Sequence, residues 1–494
     1  MTTEQQTEGG GVLALDPAGW AAQQFGRVAV GDVRRTQRVV RLARAVAAHP
    51  AASLPEQVGS WAALKATYRV LNSPAVTHAA VLAPHAQQTR ALAERRAVTL
   101  LVQDTTEVDL TAHPHTQGLG PIGNGQGRGL LVQSVLAVAP ETHAALGLVA
   151  QEPFRRQPAP QPETQTARFA RARESDVWLR MIRQVGPPPA GRRWVQVGDR
   201  GADMWGFFTT CQRQPTDFLV RAAHDRVLVA DAAPADAAPA DAAPTDAAPA
   251  DAAVIRQLFA ALPRLPAYDV RDLEVPAQRG RPQRTAQVQV AAGPLTLQAP
   301  HVPRGQTALR LWVVWAHEVQ IPAEAAPDAA PDAAPDALEW VLLTSVPTED
   351  AAAAWERVDW YRCRWVVEEF HRCLKTGCRL EQRLLREAAR VERLLAVLAP
   401  VAVYLLQLRD LARQAPDRLA QAALPPDLVQ VVAQLAQVPV ATLTVRQVWI
   451  TIARQGGYLA RRRDGPPGWQ TLWRGWLRVQ TLLEGVHLAA HLTL

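Results

Sequence analysis

Three acidic residues, far apart in the chain, stand where a sequence would place reactive carboxylates. Asp104 follows the apolar run VTLLV and Gln103, Asp199 follows WVQVG, and Glu368 lies within Tyr361–Lys375, YRCRWVVEEFHRCLK. Read as a helix at ~100° per residue, the last stretch puts Tyr361, Arg364, Glu368, Arg372 and Lys375 within roughly a 90° arc. Cys363, Val366, Val367, Phe370, Cys373 and Leu374 fall on the opposite side, and Glu369 sits about 100° away from Glu368. A carboxylate in a row of cations suits a metal or phosphate site, or else a solvated face with i,i+4 ion pairs. The two upstream aspartates favour the site, although an Asp at a strand tip is often only a turn former. The chemistry that three such carboxylates serve is phosphoryl transfer to water or to a sugar hydroxyl. It uses two Mg²⁺ ions, with Mn²⁺ as the alternative, held about 3.5–4 Å apart. Mg²⁺ takes hard oxygen ligands and few carboxylates. Asp104 is the candidate bridge between the ions, with Asp199 and Glu368 each holding one. Arg364, Lys375 and Tyr361 would then bind the phosphates beside the scissile one.

The elements that must position these residues follow from periodicity. Val98–Val102 reads as a buried strand with Asp104 at its C-terminal tip. Strands are expected over 130–139 and 145–152, an amphipathic helix over about 164–185, and a short strand ending at Asp199. This order, strand, strand, strand, helix, strand, is the core of a ribonuclease-H-like fold, in which the first and fourth strands lie side by side and bring Asp104 near Asp199. The Gly-rich turn GLGPIGNGQGRG (118–129) lacks the GxxxxGK[ST] order of a phosphate-binding P-loop. Further strands are expected over 216–229, 267–275, 285–292, 295–299, 309–319 and 338–346. One helix is expected over 349–377 and another over 380–412.

Composition bounds the rest. A chain of 494 residues with 48% hydrophobic and 20% charged residues is globular and large enough for several domains. The net charge of +7 is consistent with a polyanionic partner. Cys211, Cys363, Cys373 and Cys378 are too few for a disulfide scaffold and show no zinc spacing; Cys363 and Cys373 fall on the packing side of the 361–375 helix. MTTEQQTEGGG has no signal-peptide core, and the apolar run 394–408 is shorter than the ~18 residues a membrane span needs. The expected location is the cytoplasm, in association with the nucleoid, with no membrane partner.

The N-terminal stretch 17–71 reads as helical. Arg34, Arg38, Arg41 and Arg44 recur at three- and four-residue spacing after a candidate N-cap, Asp32. A second helix, about 55–71, has Trp61, Tyr68 and Leu71 as its apolar side and Lys65 and Arg69 outward. Such an arginine row suits phosphate contacts in a small DNA-binding module. The Ala/Pro/Asp tracts 230–253 and 322–337 carry no core-forming side chains and read as disordered loop expansions. Near the C-terminus, Trp469, Trp473 and Trp476 form an apolar stripe suited to core or subunit contact, and Arg461, Arg462 and Arg463 precede a turn.

QDTT (103–106), VGDRGAD (197–203) and Y-x2-R-x3-E-x6-K (361–375) resemble the insertion-sequence-four (IS-four) family of DDE transposases, whose YREK signature the last one matches. GDVRRTQR (31–38) resembles its N-terminal DNA-binding region, LEWVLLTS (338–345) its β insertion, and 452–476 its C-terminal region. The resemblance spans nearly the whole chain. It implies a cut-and-paste transposase with an α/β, ribonuclease-H-like catalytic core interrupted by a β-rich insertion. The implied division is a helical DNA-binding domain, 1–75, a catalytic domain, 76–378, with the insertion at about 205–347, and a helical dimerisation region, 379–494. By carry-over, Asp104, Asp199 and Glu368 bind the metal ions, and Tyr361, Arg364 and Lys375 contact phosphates of the transposon end. Arg221 matches an arginine near the active site, Trp340 a tryptophan that receives a flipped base, and Arg34, Arg35 and Arg38 belong to the DNA-binding region. The implied course is nicking, hairpin formation, hairpin opening and strand transfer, within a dimeric synaptic complex holding transposon ends and target DNA. One departure is Gln133 in VQSVLA, where related sequences often have His. A DNA-binding protein without catalysis and a nuclease without strand transfer are the competing readings.

Overall fold

In the computed structural model, residues 17–157, 162, 164, 171, 173–229, 256–275, 284–301, 305–320, 337–414, 416–461, 464 and 467–491 are described. The N-terminal leader, the tract 230–253, nearly all of 322–337, Arg462 and Arg463 lie outside the described residues, as does most of the expected helix before Asp176. The chain divides into one unit of residues 1–192 and 365–494 and another of 193–364.

The first unit begins with helices α1 (Pro17–Phe25), α2 (Val33–Ala48), α3 (Leu54–Val58), α4 (Trp61–Asn72) and α5 (His78–Glu94). Asp32 caps α2 as expected, accepting the Arg34 amide at 2.7 Å. The expected helix over 55–71 is two helices, because Gly59 at φ +68° stops α3 and Ser60 caps α4. Val39, Leu42, Ala43 and Val46 make the buried stripe of α2, and Trp20 of α1 packs on Tyr404 with ring centroids 5.0 Å apart.

Strands β1 (Val98–Asp109), β2 (Gly120–Ile122), β3 (Gly127–Ala139) and β4 (Ala144–Phe154) follow. β3 pairs antiparallel with β1 along one edge; along the other it pairs with β2 through Gly127–Gly129 and with β4 through Leu131–Ala139. β3 is buried from Gly129 to Ala139, as an apolar run covered on both faces should be. Helices α5 and α6 (Asp176–Val185) pack on β3 and β4. His85 of α5 accepts the Leu148 amide at 3.0 Å through Nε2, so its Nδ1–H donates to Gln24 at 2.7 Å. Burial pushes its pKa down to about 4, which keeps the ring neutral in this role.

The second unit contains β5 (Arg193–Gly198), α7 (Trp205–Arg213), β6 (Asp217–Arg221), the short α8 (Leu258–Ala261), β7 (Ala267–Val275), β8 (Arg284–Leu297), β9 (Leu309–Gln320), β10 (Glu339–Thr344) and α9 (Ala351–Arg362). Its strand order is β5-β6-β10-β9-β8-β7, with β5 and β6 parallel and the rest antiparallel. The two strands expected over 285–299 are one. Pro294 stays in register opposite Trp312, so the Gly293-Pro294 pair does not end β8. α9 packs on β6, β8 and β9.

The chain returns to the first unit at Trp365 with α10 (Trp365–Arg372), a π-turn (Cys373–Gly377) and a 3₁₀ turn (Leu380–Gln382). It continues in α11 (Ala388–Gln414), α12 (Pro426–Ala436), α13 (Val445–Gln455) and α14 (Trp469–His491). α11 starts at Ala388 rather than near Leu380, and packs on α2, α4, α5 and β4. The four cysteines are buried and free, in keeping with packing. Two residues of the tryptophan stripe, Trp473 and Trp476, are buried, and Trp476 stacks on Trp449 at 5.8 Å. Glycine is required where α13 meets α14, since a Cβ on Gly475 would stand 1.6 Å from the Ile452 carbonyl oxygen. No described helix is long and apolar enough to cross a membrane.

Candidate active site

The expected single helix over 349–377 is broken twice. α9 ends at Arg362, Cys363 and Arg364 form a turn, α10 begins at Trp365, and the π-turn changes the phase again before Lys375. The continuous row of Tyr361, Arg364, Glu368, Arg372 and Lys375 therefore does not exist. Tyr361 is 4% exposed rather than on a solvated face, and Arg372 points to solvent. The apolar side is as expected, with Cys363, Val366, Val367, Phe370, Cys373 and Leu374 all buried.

In the first unit, β1 and α10 supply two of the three carboxylates. β1 does not stop at Asp104. Its ladder with β3 continues to Asp109, because Thr105, Thr106 and Val108 are β-branched and Thr106 and Val108 are buried. Asp104 is therefore a mid-strand residue paired with Ser134, its Oδ1 accepting the Thr105 amide at 2.8 Å. α10 packs on β1 and β3, which brings its residues over this strand. His371, one turn after Glu368, approaches Asp104 Oδ2 with Nδ1 at 3.9 Å. Burial, with Lys375 adding to it, pushes the His371 pKa down to about 3, so the ring is neutral and this contact is not an ion pair. Behind Asp104, Gln133 is fully buried in a chain of side-chain hydrogen bonds: Thr105 donates to its Oε1, and its Nε2 donates to Gln103 at 3.2 Å. Glu369 turns away from this strand and accepts from Arg409 of α11 at 2.6 Å. Lys375, in the π-turn, stands 3.5 Å from Glu381, which also accepts the Asp109 amide at 3.0 Å.

In the second unit, Asp199 follows β5 and caps a 3₁₀ turn, Arg200–Ala202, by accepting the Gly201 amide at 2.8 Å. Around Tyr361, four of the expected residues gather. Trp340 meets it edge to face with centroids 5.3 Å apart, and the Arg364 guanidinium lies 6.0 Å from the ring centre. Arg221, at the end of β6, hydrogen-bonds to Tyr361 and donates to the Glu339 carbonyl at 2.8 Å. Burial raises the Tyr361 pKa; Arg364 and Arg221 oppose that rise and Asp199 adds to it. Burial lowers that of Arg221, against the attraction of Tyr361. Two cations held by one phenol, with an indole beside them, suit a phosphodiester and a base.

Several supporting residues carry no signal in the sequence. Asp203, also in VGDRGAD, has a fully buried side chain that accepts the Ala223 and His224 amides at 2.7 and 3.0 Å and pairs with Arg226. It clamps the loop after β6 and is structural. His371 and Glu381 were legible only as part of the charged surroundings of Glu368. In the N-terminal helices, Arg34 and Arg41 are exposed and Arg38 is half-buried, while Arg35 donates to the Val30 carbonyl at 3.2 Å. Asp104 and Glu368 offer the hard oxygens that Mg²⁺ takes. Among the described residues, no three His, Cys, Asp or Glu side chains form a group that could hold a metal ion.

Three family models match the chain. One described as transposase DNA-binding matches residues 17–76, one described as transposase DDE domain matches 167–406, and one described as transposase Tn5 dimerisation domain matches 401–493. Asp199 and Glu368 fall inside the DDE match; Asp104 lies outside it.

Proposed function

Because this chain carries the DNA-binding, DDE and dimerisation domains of a transposase, with a ribonuclease-H-like core, and is a polynucleotidyl transferase and endonuclease, we propose that it excises a DNA element by cleavage at both ends and joins it to target DNA by a cut-and-paste, hairpin route. The finer family membership proposed is the IS-four group with the YREK signature, and the domain division is 1–75, 76–378 and 379–494. Enzymes with this domain generally use divalent metal ions. Asp104, Asp199 and Glu368 would hold two Mg²⁺ ions, whose chemistry is to activate the attacking oxygen and stabilise the leaving one.

The chain's own residues do the positioning. Arg221 and Arg364 bind the phosphates flanking the scissile one, with Tyr361 fixing both guanidiniums, and Lys375 adds a further cation. Trp340 receives an extrahelical base on its ring face. His371, neutral and buried, fills the space beside Asp104. The observation that carries this reading is the gathering of Arg221, Trp340, Arg364 and Asp199 around the buried phenol of Tyr361. A homodimer holding two ends and a target is the proposed working assembly.

The test is a supercoiled plasmid carrying the DNA from both sides of the gene, where the proposal places the element's inverted repeats, incubated with the protein and Mg²⁺. Excised, hairpin-ended fragments followed by joined products are expected. Retarded but uncut DNA would replace the proposal with end binding alone, and cut fragments that never join would replace it with a nuclease.

A further inference from the structure

A buried arginine joins the N-terminal helices to the turn that follows Lys375. Arg383, 4% exposed, donates to the Cys378 carbonyl at 2.8 Å and to the Pro50 and Ala52 carbonyls at 2.5 Å each. Cys378 caps the π-turn, whereas Pro50 and Ala52 lie in the connection between α2 and α3. That connection is also held from its own side, where Gln57 Nε2 donates to the His49 carbonyl at 2.8 Å. A guanidinium presents its donors in one rigid plane, so the carbonyls bound to it keep a fixed spacing. Without it they would be buried and short of a donor, and the two segments would have to part to admit water.

The same turn reaches the strand that carries Asp104. Arg383 is the C-cap of the 3₁₀ turn Leu380–Gln382. Glu381, within that turn, stands 3.5 Å from Lys375 and accepts the Asp109 amide at 3.0 Å. Asp109 is the last residue of β1. A second tie comes from α11, where Arg393 donates to the Leu71 and Val76 carbonyls at 2.7 Å each, beside the end of α4. All of these residues belong to the first unit. The module matched as transposase DNA-binding, the end of β1 and Lys375 are therefore joined through one set of hydrogen bonds, with Arg383 at the junction.

We propose that Arg383 is a positioning residue that sets which phosphate is cut, by holding the module that grips the DNA end in one register with Asp104 and Lys375. It acts through peptide carbonyls and touches no DNA. The inference rests on the end cleavage proposed above and adds what fixes its position. Successive phosphates of one strand are about 3.4 Å apart along the duplex. A shift of the module by that distance presents the neighbouring phosphate. Hydrogen bonds of 2.5–2.8 Å to a buried, planar group do not permit such a shift.

The experiment maps cut positions on a sequencing gel, using the full chain, Mg²⁺ and an end-labelled duplex carrying the repeat expected beside the gene (the repeat duplex). Wild-type protein should cut at a single position. Arg383→Gln should bind the repeat duplex as wild type does in fluorescence anisotropy, slow the wild-type cut by about ten- to a hundredfold, and add cuts one nucleotide to either side. Arg383→Lys, which keeps the charge and loses the planar fork, should give a milder form of the same pattern. Arg393→Gln, at the second tie, should also add displaced cuts, and carries the test should Arg383→Gln fold poorly. Ile182→Ala controls for lost stability alone: it opens a cavity under α6, which packs on β3 and β4, and should lower the melting temperature with every cut in place. Folded Arg383 and Arg393 variants that cut only at the wild-type nucleotide would overturn the inference and leave end cleavage standing. Wild-type protein that does not cut the repeat duplex would remove the end-cleavage reading itself.

Discussion

Glu368→Gln is expected to abolish end cleavage, by at least about 10³-fold, while leaving the protein folded and bound to the repeat duplex. A carboxylate that helps hold a catalytic ion underwrites several kcal/mol of transition-state charge stabilisation, and each ~1.4 kcal/mol is a factor of ten in rate. The amide keeps the shape of the side chain on α10, so packing against β1 survives. The neighbouring Glu369→Gln is the internal control. Glu369 is one residue along the same helix but turns to Arg409 at 2.6 Å, so its loss should be felt in stability and leave the chemical step within about tenfold of wild type, the size of a supporting-residue effect. Single-turnover cleavage of a pre-bound end separates the two. Greater damage to the chemical step from Glu369→Gln would mean that Glu369, not Glu368, is the carboxylate α10 turns toward the ions.

Arg409→Ala is expected to destabilise the first unit by about 3–5 kcal/mol, the usual result of removing one partner from a buried ion pair. Arg409 is buried and holds Glu369 at 2.6 Å and Asp410 at 2.7 Å, and the Asp410 side chain is itself only 8% exposed. The alanine variant strands a buried carboxylate and unties α10 from α11. Arg409→Met with Asp410→Leu should recover much of the loss, because replacing both charges by apolar groups removes the desolvation cost as well. Urea denaturation monitored by far-ultraviolet circular dichroism measures both. A single variant with a wild-type midpoint would show that the cluster contributes little.

Which features were legible in the sequence follows from the range of the forces involved. Periodicity locates the β1, β3, β4 and β5 strands, the N-terminal helices and the buried side of α10, because alternation and helical stripes are local. The capping role of Asp32 is legible for the same reason. The extent of β1 past Asp104 is not, since what holds Thr105–Asp109 in the ladder is β3, which lies elsewhere in the chain. Nor is the break at Cys363–Arg364, where no Pro or Gly marks the end of a helix and residues on either side pack in different units. A helical wheel assumes an unbroken helix, and this break with the π-turn puts Tyr361 and Lys375 in environments the wheel cannot show. Hydrophobicity alone misplaces Trp61, which stands 68% exposed at the start of α4, since it assigns an indole to the packing face whatever surrounds it. Asp203 stands in a legible motif, but its burial depends on Arg226 and on backbone amides beyond β6.

The central claim is that Asp104, Asp199 and Glu368 surround the same divalent ions when a DNA end is bound. The most direct measurement replaces Mg²⁺ with Fe²⁺ in the full-length protein–DNA complex and adds ascorbate and peroxide, so that radicals formed at the bound ion cut the polypeptide nearby. Backbone cuts are expected close to all three residues, suppressed together by excess Mg²⁺ and by any one of the three substitutions to Ala. Cuts confined to one of these segments, or cuts near Asp104 and Glu368 that persist unchanged in Asp199→Ala, would contradict a shared ion site.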